Sequence, residues 1–374
     1  MCFTMYPFLF GSYLVLETTN QCNLACVHCA VSEIGHEHHR QIGFLPLPIV
    51  HNLFQDLAQT KISFETLILF WLGEPTLHPC FSDIYQIALR NSVRHHIFRN
   101  IEIHSNGILL TESLQRTIIN SATVSQKIHI SLDAQHEDTY QVVKGRTGLQ
   151  QAQRNIKDLL LRKQEKKSLW PRVVLQYIVG ENNHHEVEDF VIFWRDFLSK
   201  HQISFRVAAG HVPEGTDVIL FFRQLDAPTA ERQKIENRIF YETIKKFGLD
   251  FSEKDTHLDL GFDLENAIQN HLPCSGFWKS PTIDWKGNVT FCTRDNLLQN
   301  RIGNITTTSF SSLWTSSNVV EIRKNVAQGD YTQHPICQDC FIPKSFNHST
   351  ILESEIQQVH EFFQTKSPHS PLNR

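Results

Sequence analysis

Tyr13-Leu14-Val15-Leu16-Glu17-Thr18-Thr19-Asn20-Gln21-Cys22-Asn23-Leu24-Ala25-Cys26-Val27-His28-Cys29 places an apolar run just ahead of three cysteines separated by three and then two residues. Three thiolates this close converge on one metal centre. Iron-sulfur clusters are commonly held by four cysteines, so a compact trio leaves one coordination position to another ligand. The same logic keeps a catalytic zinc site open, and the trio alone does not choose between the two metals.

Working outward, the strand-like run Tyr13 to Thr18 is the first of six, with Leu67 to Trp71, Asn100 to Ser105, Lys127 to Leu132, Val173 to Val179 and Ile203 to Ala208. Between them lie helical faces. Val50, Leu53, Phe54 and Leu57 fall on one side of a helix, as do Ile84, Ile87 and Ala88, and Val187, Phe190, Val191, Trp194 and Phe197. Strands alternating with helices predict an α/β fold of parallel βαβ units with right-handed crossovers. Pro213, Gly215 and Pro228 then interrupt the pattern, and 211–272 reads as a connector that carries no motif.

The ends of these strands carry further signals. Leu72-Gly73-Glu74-Pro75 follows the second, His104-Ser105-Asn106-Gly107 the third and Ser131-Leu132-Asp133-Ala134 the fourth. Together with the Cys-x3-Cys-x2-Cys trio, this series resembles the radical S-adenosylmethionine (SAM) enzymes. The resemblance implies a partial (β/α)6 TIM-like barrel with its chemistry at the carboxyl ends of the strands. It also implies a 4Fe-4S cluster on Cys22, Cys26 and Cys29 with an open site that binds SAM and cleaves it to a 5'-deoxyadenosyl radical. Gly73, Glu74 and Pro75 are then expected at the SAM ammonium, and Ser105, Asn106, Ser131 and Asp133 around the rest of the molecule. Arg146 is a candidate partner for the SAM carboxylate, because guanidinium binds carboxylates in two-pronged fashion. His104 is a candidate to point into the barrel, and Cys80 a candidate hydrogen-atom donor. His28 replaces the aromatic residue usual before the third cysteine, and the fifth strand shows no SAM motif.

A second set comprises Cys274, Cys292, Cys337 and Cys340. Pro281 to Trp285 and Val289 to Phe291 flank Lys286-Gly287-Asn288, the pattern of a hairpin. The hairpin folds Cys292 back toward Cys274, while Cys337-Gln338-Asp339-Cys340 brings two more thiols. Four thiolates from three places make a closed site suited to zinc or iron-sulfur, and spacing alone favours zinc. Beside a radical SAM core, however, the run from Cys274 through Gly287 to Cys292 resembles the SPASM and twitch domains, which implies an auxiliary 4Fe-4S cluster. Because no cysteine follows Cys340, the likeness is to a twitch or shortened SPASM domain, as in the radical SAM aminocyclitol dehydrogenase type. The expected organisation is a barrel core over 1–210, the connector, a small α+β cluster domain over 273–345, and a terminal helix and tail over 346–374.

Composition is that of an ordinary globular chain of 374 residues, 41% apolar and 20% charged, with net charge -4. No broad basic field for nucleic acid exists, and the apolar amino terminus lacks the basic flank of a signal peptide or the length of a membrane span. Nine cysteines, mostly clustered, read as metal ligands. Iron-sulfur chemistry places the chain in a reducing compartment, the cytoplasm.

The resulting expectation is an oxidoreductase or modifying enzyme that abstracts a hydrogen atom from a sugar-like metabolite and passes one electron to the auxiliary cluster. A flavodoxin or ferredoxin-type donor supplies the reducing electron. Asp295, close behind Cys292, is the candidate base. Modification of a ribosomally made peptide is the alternative. A zinc or iron-sulfur structural protein leaves the strand-end motifs unexplained.

Overall fold

In the computed structural model, residues 9–29, 41–120, 123–210, 212–213, 215–227, 229–248, 274–338 and 340 are described. His36, His38 and His39, the end of the connector and the terminal helix and tail lie outside them.

The chain alternates strongly. β1 (Leu9–Leu16) leads to α1 (Leu47–Thr60), β2 (Ser63–Leu69), α2 (Phe81–His95), β3 (Phe98–Ser105), α3 (Glu112–Ile118) and β4 (Ser125–Ser131). Two helices follow, α4 (Glu137–Lys144) and α5 (Leu149–Glu165), then β5 (Arg172–Val179), α6 (Val187–Lys200), β6 (Phe205–Ala209), β7 (Val218–Gln224) and α7 (Ala230–Lys245). α1 buries Val50, Leu53, Phe54 and Leu57, the face that the spacing predicts. Strand neighbours are parallel from β1 through β5. On the helix side, Leu67, Leu69, Ile101, Ile103, Ile128 and Ile130 join one large core. The other face lines the lumen, where Val174, Ile219 and Phe221 form a separate apolar cluster.

The connector needs correcting. Residues Val218–Gln224 are a buried barrel strand that pairs with both β5 and β6, giving the order β5-β7-β6. The run Val218 to Phe222 stands in a segment punctuated by Pro213, Gly215 and Pro228, and those breakers hid it as a connector. Seven parallel strands therefore build the barrel wall rather than six.

The second module extends the same sheet. β8 (Thr282–Ile283) pairs parallel to β1, and β9 (Asn288–Thr290) and β10 (Gly303–Asn304) continue antiparallel, completing a ten-stranded sheet. The expected hairpin is present, with Gly287 at φ +86 and the Asp284 carboxylate accepting from the amides of Lys286 and Asn288. α8 (Gly276–Lys279), α9 (Phe310–Trp314), α10 (Ser317–Ala327) and α11 (Pro335–Gln338) pack beside it. Arg323, 1% exposed, donates to the carbonyls of Phe277 and Trp314, tying three of these pieces together.

One polar contact fastens this module to α1. Asp56 accepts from the Ser311 amide at 2.8 Å and the Ser311 hydroxyl at 2.6 Å, capping the start of α9. Replacing Asp56 with Ala removes both and is expected to cost about 1–3 kcal/mol, measured by denaturant unfolding. An unchanged midpoint would show that the contact holds nothing.

Candidate functional site

The trio lies in the loop after β1, and two glycines let backbone close around it. A Cβ on Gly73 would stand 2.2 Å from the Thr19 carbonyl oxygen, and one on Gly145 2.3 Å from that of Ala25. These close approaches carry hydrogen bonds. The Glu74 amide donates to Gln21, and the amides of Ala25 and Val27 donate to the carbonyls of Lys144 and Val143. The loop between Thr19 and Val27 is thus held by the turn after β2 on one side and the end of α4 on the other.

The strand-end residues meet there. Glu74, 3% exposed, accepts from the hydroxyls of Thr76 and Ser105 and from the Asn106 amide. Asn106 in turn donates to Asn23, inside the trio, at 2.7 Å. Glu74 therefore locks the turns after β2 and β3 to each other, its carboxylate occupied by the chain itself. Pro75 opens the short helical turn Pro75–Leu77.

Asp133 is fully buried at φ +58, and its carboxylate pairs with Lys144 and accepts from Ser131 at 2.8 Å and from the Ile178 amide at 2.7 Å. Burial would raise the Asp133 carboxyl, but Lys144, His28 and these hydrogen bonds together hold it below its ordinary range. Lys144, 2% exposed, also donates to Ser131, and its charge lies near Cys26 and Cys22. Sequence reasoning missed it. Arg146, the expected cation, is exposed; Lys144, two residues earlier at the end of α4, turns inward instead.

A cleft of about 310 Å³ adjoins the trio. Val27 and His28 line one side, the segment after β5 with Gly180 and Asn183 another, and Arg232 and Glu236 of α7 a third. Glu236 is fully buried, paired with Arg232 and aimed at Gly180. The fifth strand, without a readable motif, thus contributes through the backbone-rich turn that follows it.

Other expected residues sit differently. Asp295 is fully buried and accepts from Thr290, Gln299 and Asn300, so its carboxylate clasps its own loop and does not serve as an open base. Cys80 precedes α2, and its amide donates to His78, whose ring meets the Leu45 carbonyl. His104 does enter the barrel. It stacks between Phe70 and His129, beside Glu102.

Both thiol sets suit a cluster. Cys22 is exposed, yet partial desolvation and then Glu74, Cys26 and Cys29 push its thiol up to about 12. Burial and crowding likewise push Cys337 up to about 12, and burial foremost, with Cys340 adding to it, pushes Cys292 up to about 11. Burial and the other three thiols also raise Cys274. Neighbouring thiolates would repel one another, and a bound cation stabilises them together. The barrel touches the second set directly: the Trp71 indole donates to the Thr293 carbonyl at 2.7 Å, next to Cys292.

Comparison with known proteins identifies two domains. The model of the radical SAM superfamily matches residues 16–193, and that of the SPASM iron-sulfur cluster-binding domain matches 274–341. The chain carries a radical SAM superfamily domain followed by a SPASM domain. It is an enzyme, and its two domains bring 4Fe-4S clusters and SAM as cofactors. The mycofactocin maturase MftC of Mycobacterium tuberculosis is 27% identical over 146 residues, 39% of this chain and 34% of that protein, so the match spans about a third of the relative. A Pyrococcus furiosus protein named as modifying the cofactor of tungsten-containing aldehyde ferredoxin oxidoreductase is 23% identical over 353 residues, covering 88% of this chain and 86% of that one. Among solved structures, anSMEcpe with bound AdoMet superposes with a TM-score of 0.55 at 12% identity, covering 95% of this chain and 92% of that one. This last likeness shows a shared fold. Among the described residues, no helix is long and apolar enough to cross a membrane.

The buried pair gives a direct test. Lys144→Met strands a buried carboxylate and is expected to cost about 3–5 kcal/mol in unfolding free energy. Adding Asp133→Asn should return most of that loss, since the pair then vanishes together. Equal stability of Lys144→Met and the parent would contradict the pairing.

Proposed function

We propose that Cys22, Cys26 and Cys29 hold a 4Fe-4S cluster with one open iron, that SAM spans from it into the adjoining cleft, and that Cys274, Cys292, Cys337 and Cys340 hold an auxiliary 4Fe-4S cluster. The observation that carries this reading is the convergence on one loop of the Gly73 turn, the Asp133–Lys144 pair and the cleft. When bound, these groups supply a radical that abstracts a hydrogen atom and an acceptor for the electron left on the substrate.

The chain's own residues position that chemistry. Gly73 lets backbone approach the trio, and Lys144 sets a positive charge beside Cys26 and Cys22, easing the gathering of thiolates. His28 and Val27 present side chains to the cleft, where an adenosine moiety fits by size, and Glu236 and Arg232 offer polar partners. The lumen below is polar on one wall, with Glu102, His104, Lys127 and His129, and apolar on the other, with Val174, Ile219 and Phe221. Such a lumen suits a small hydroxyl-bearing molecule, which supports oxidation of a sugar-like metabolite, with reducing electrons from a flavodoxin or ferredoxin-type donor. The names of the relatives, a maturase and a cofactor-modifying protein, favour a peptide or a cofactor as a second reading.

Anaerobic reconstitution should give about eight irons per chain, four for each cluster. The triple Ala variant of Cys22, Cys26 and Cys29 should keep half the iron and form no 5'-deoxyadenosine from SAM; undiminished formation would refute the role of the trio. Ala at Cys337 and Cys340 should spare 5'-deoxyadenosine while product falls at least tenfold. Mass analysis then separates the substrates: a hydroxylated small molecule that loses two hydrogens supports the first reading, an altered peptide the second.

A further inference from the structure

We propose that Glu102, His104 and His129 form a divalent-metal site in the barrel lumen, apart from both cysteine sets. The register of β3 and β4 pairs Glu102 with Lys127 and His104 with His129, and strand alternation turns all four to the lumen face. One ligand atom from each of Glu102, His104 and His129 lies within 4.8 Å of the others. The closer separations are 3.4 Å from His104 Nε2 to Glu102 Oε2 and 3.6 Å from His129 Nε2 to the same oxygen. Bonds of about 2.0–2.1 Å to imidazole and carboxylate set neighbouring ligand atoms of a tetrahedron about 3.3–3.4 Å apart. Two of the three separations thus match neighbouring ligands of one ion, and the third lies within 4.8 Å.

A second observation points the same way. His129 is 9% exposed; among the described residues neither ring nitrogen makes a hydrogen bond, and Nε2 has only the Glu102 carboxylate at 3.6 Å. A buried ring nitrogen without a hydrogen bond is costly, and an ion bound between the three groups would satisfy it. The surroundings hold the ligand side chains in place, as outer contacts do in metal sites. Phe70 stacks on His104 and His104 on His129, with ring centroids 5.4 and 4.5 Å apart, and the soft χ2 torsion of histidine supplies the small rotation that aims both rings at one point. Lys127 holds the other Glu102 oxygen at 3.4 Å, leaving Oε2 for the ion.

Two imidazoles and a carboxylate suit zinc or another first-row divalent ion rather than calcium or magnesium. Three protein ligands leave a coordination position open, and here it faces the lumen, where it takes an oxygen atom of a substrate. The site stands independently of the cluster assignment, because it uses none of the cysteines.

The test is anaerobic dialysis of the iron-loaded protein, its thiols occupied, against micromolar zinc, followed by metal analysis. One zinc per chain is expected in the parent. Glu102→Gln and His129→Gln should each bind zinc at least tenfold more weakly with iron content unchanged. A fully iron-loaded parent that retains no zinc, or variants that hold it as tightly as the parent, would overturn the site. If a variant loses iron as well, X-ray absorption at the zinc edge of the parent decides alone: a nitrogen and oxygen shell with imidazole scattering supports the site, and sulfur ligation overturns it.

Discussion

The close seating of the trio loop between two glycines is the constraint on which the rest depends. Gly73 and Gly145 each let backbone approach where any Cβ would overlap a carbonyl oxygen by more than an ångström of van der Waals contact. Their hydrogen bonds fix residues 19–27 against the turn after β2 and the end of α4. Lys144 immediately precedes Gly145, so the same helix end that receives the loop also buries an ammonium group against Asp133. That pair crosses from α4 to the end of β4, and Asp133 continues to the Ile178 amide at the end of β5. Loop, helix and two strands thus share one connected set of contacts, around which the strand ends are organised.

The second module is joined to this arrangement through the sheet itself. β8 lies on the free edge of β1, the strand that leads into the trio, and Glu17 of that segment accepts from the Trp285 amide. Trp71, two residues before Gly73, reaches Thr293 beside Cys292. Tyr13 on β1 hydrogen-bonds Ser280 and lies near Cys274 and Cys292. Each thiol set is therefore seated against the same strand, and neither is an appendage on a long tether.

Much of this was legible in the residues and some was not, for physical reasons. The period-two runs of β1, β3, β4 and β5 and the face of α1 are strong signals, because burial on one side forces the pattern. The cysteine spacings and Gly73-Glu74-Pro75 are likewise local. β7 was hidden among proline and glycine breakers, and its apolar run has no helix between it and β6 to announce a crossover. Lys144 was overlooked because lysine ordinarily marks a surface, and only the fold shows it facing Asp133. Asp295 looked like a free acid next to a cysteine, yet its oxygens are taken by amides four and five residues ahead. The lumen cluster of Glu102, His104 and His129 depends on the pairing register of two strands, which no single strand reveals.

The central claim, that the three-cysteine cluster keeps an open iron for SAM while the four-cysteine one does not, is tested most directly by electron paramagnetic resonance of the reduced, reconstituted protein with and without SAM. Two 4Fe-4S signals are expected, only one of which changes when SAM is added, and that one disappears when Cys22, Cys26 and Cys29 are replaced. A spectrum that SAM leaves unchanged, or whose SAM-sensitive signal survives loss of the trio, would contradict the account.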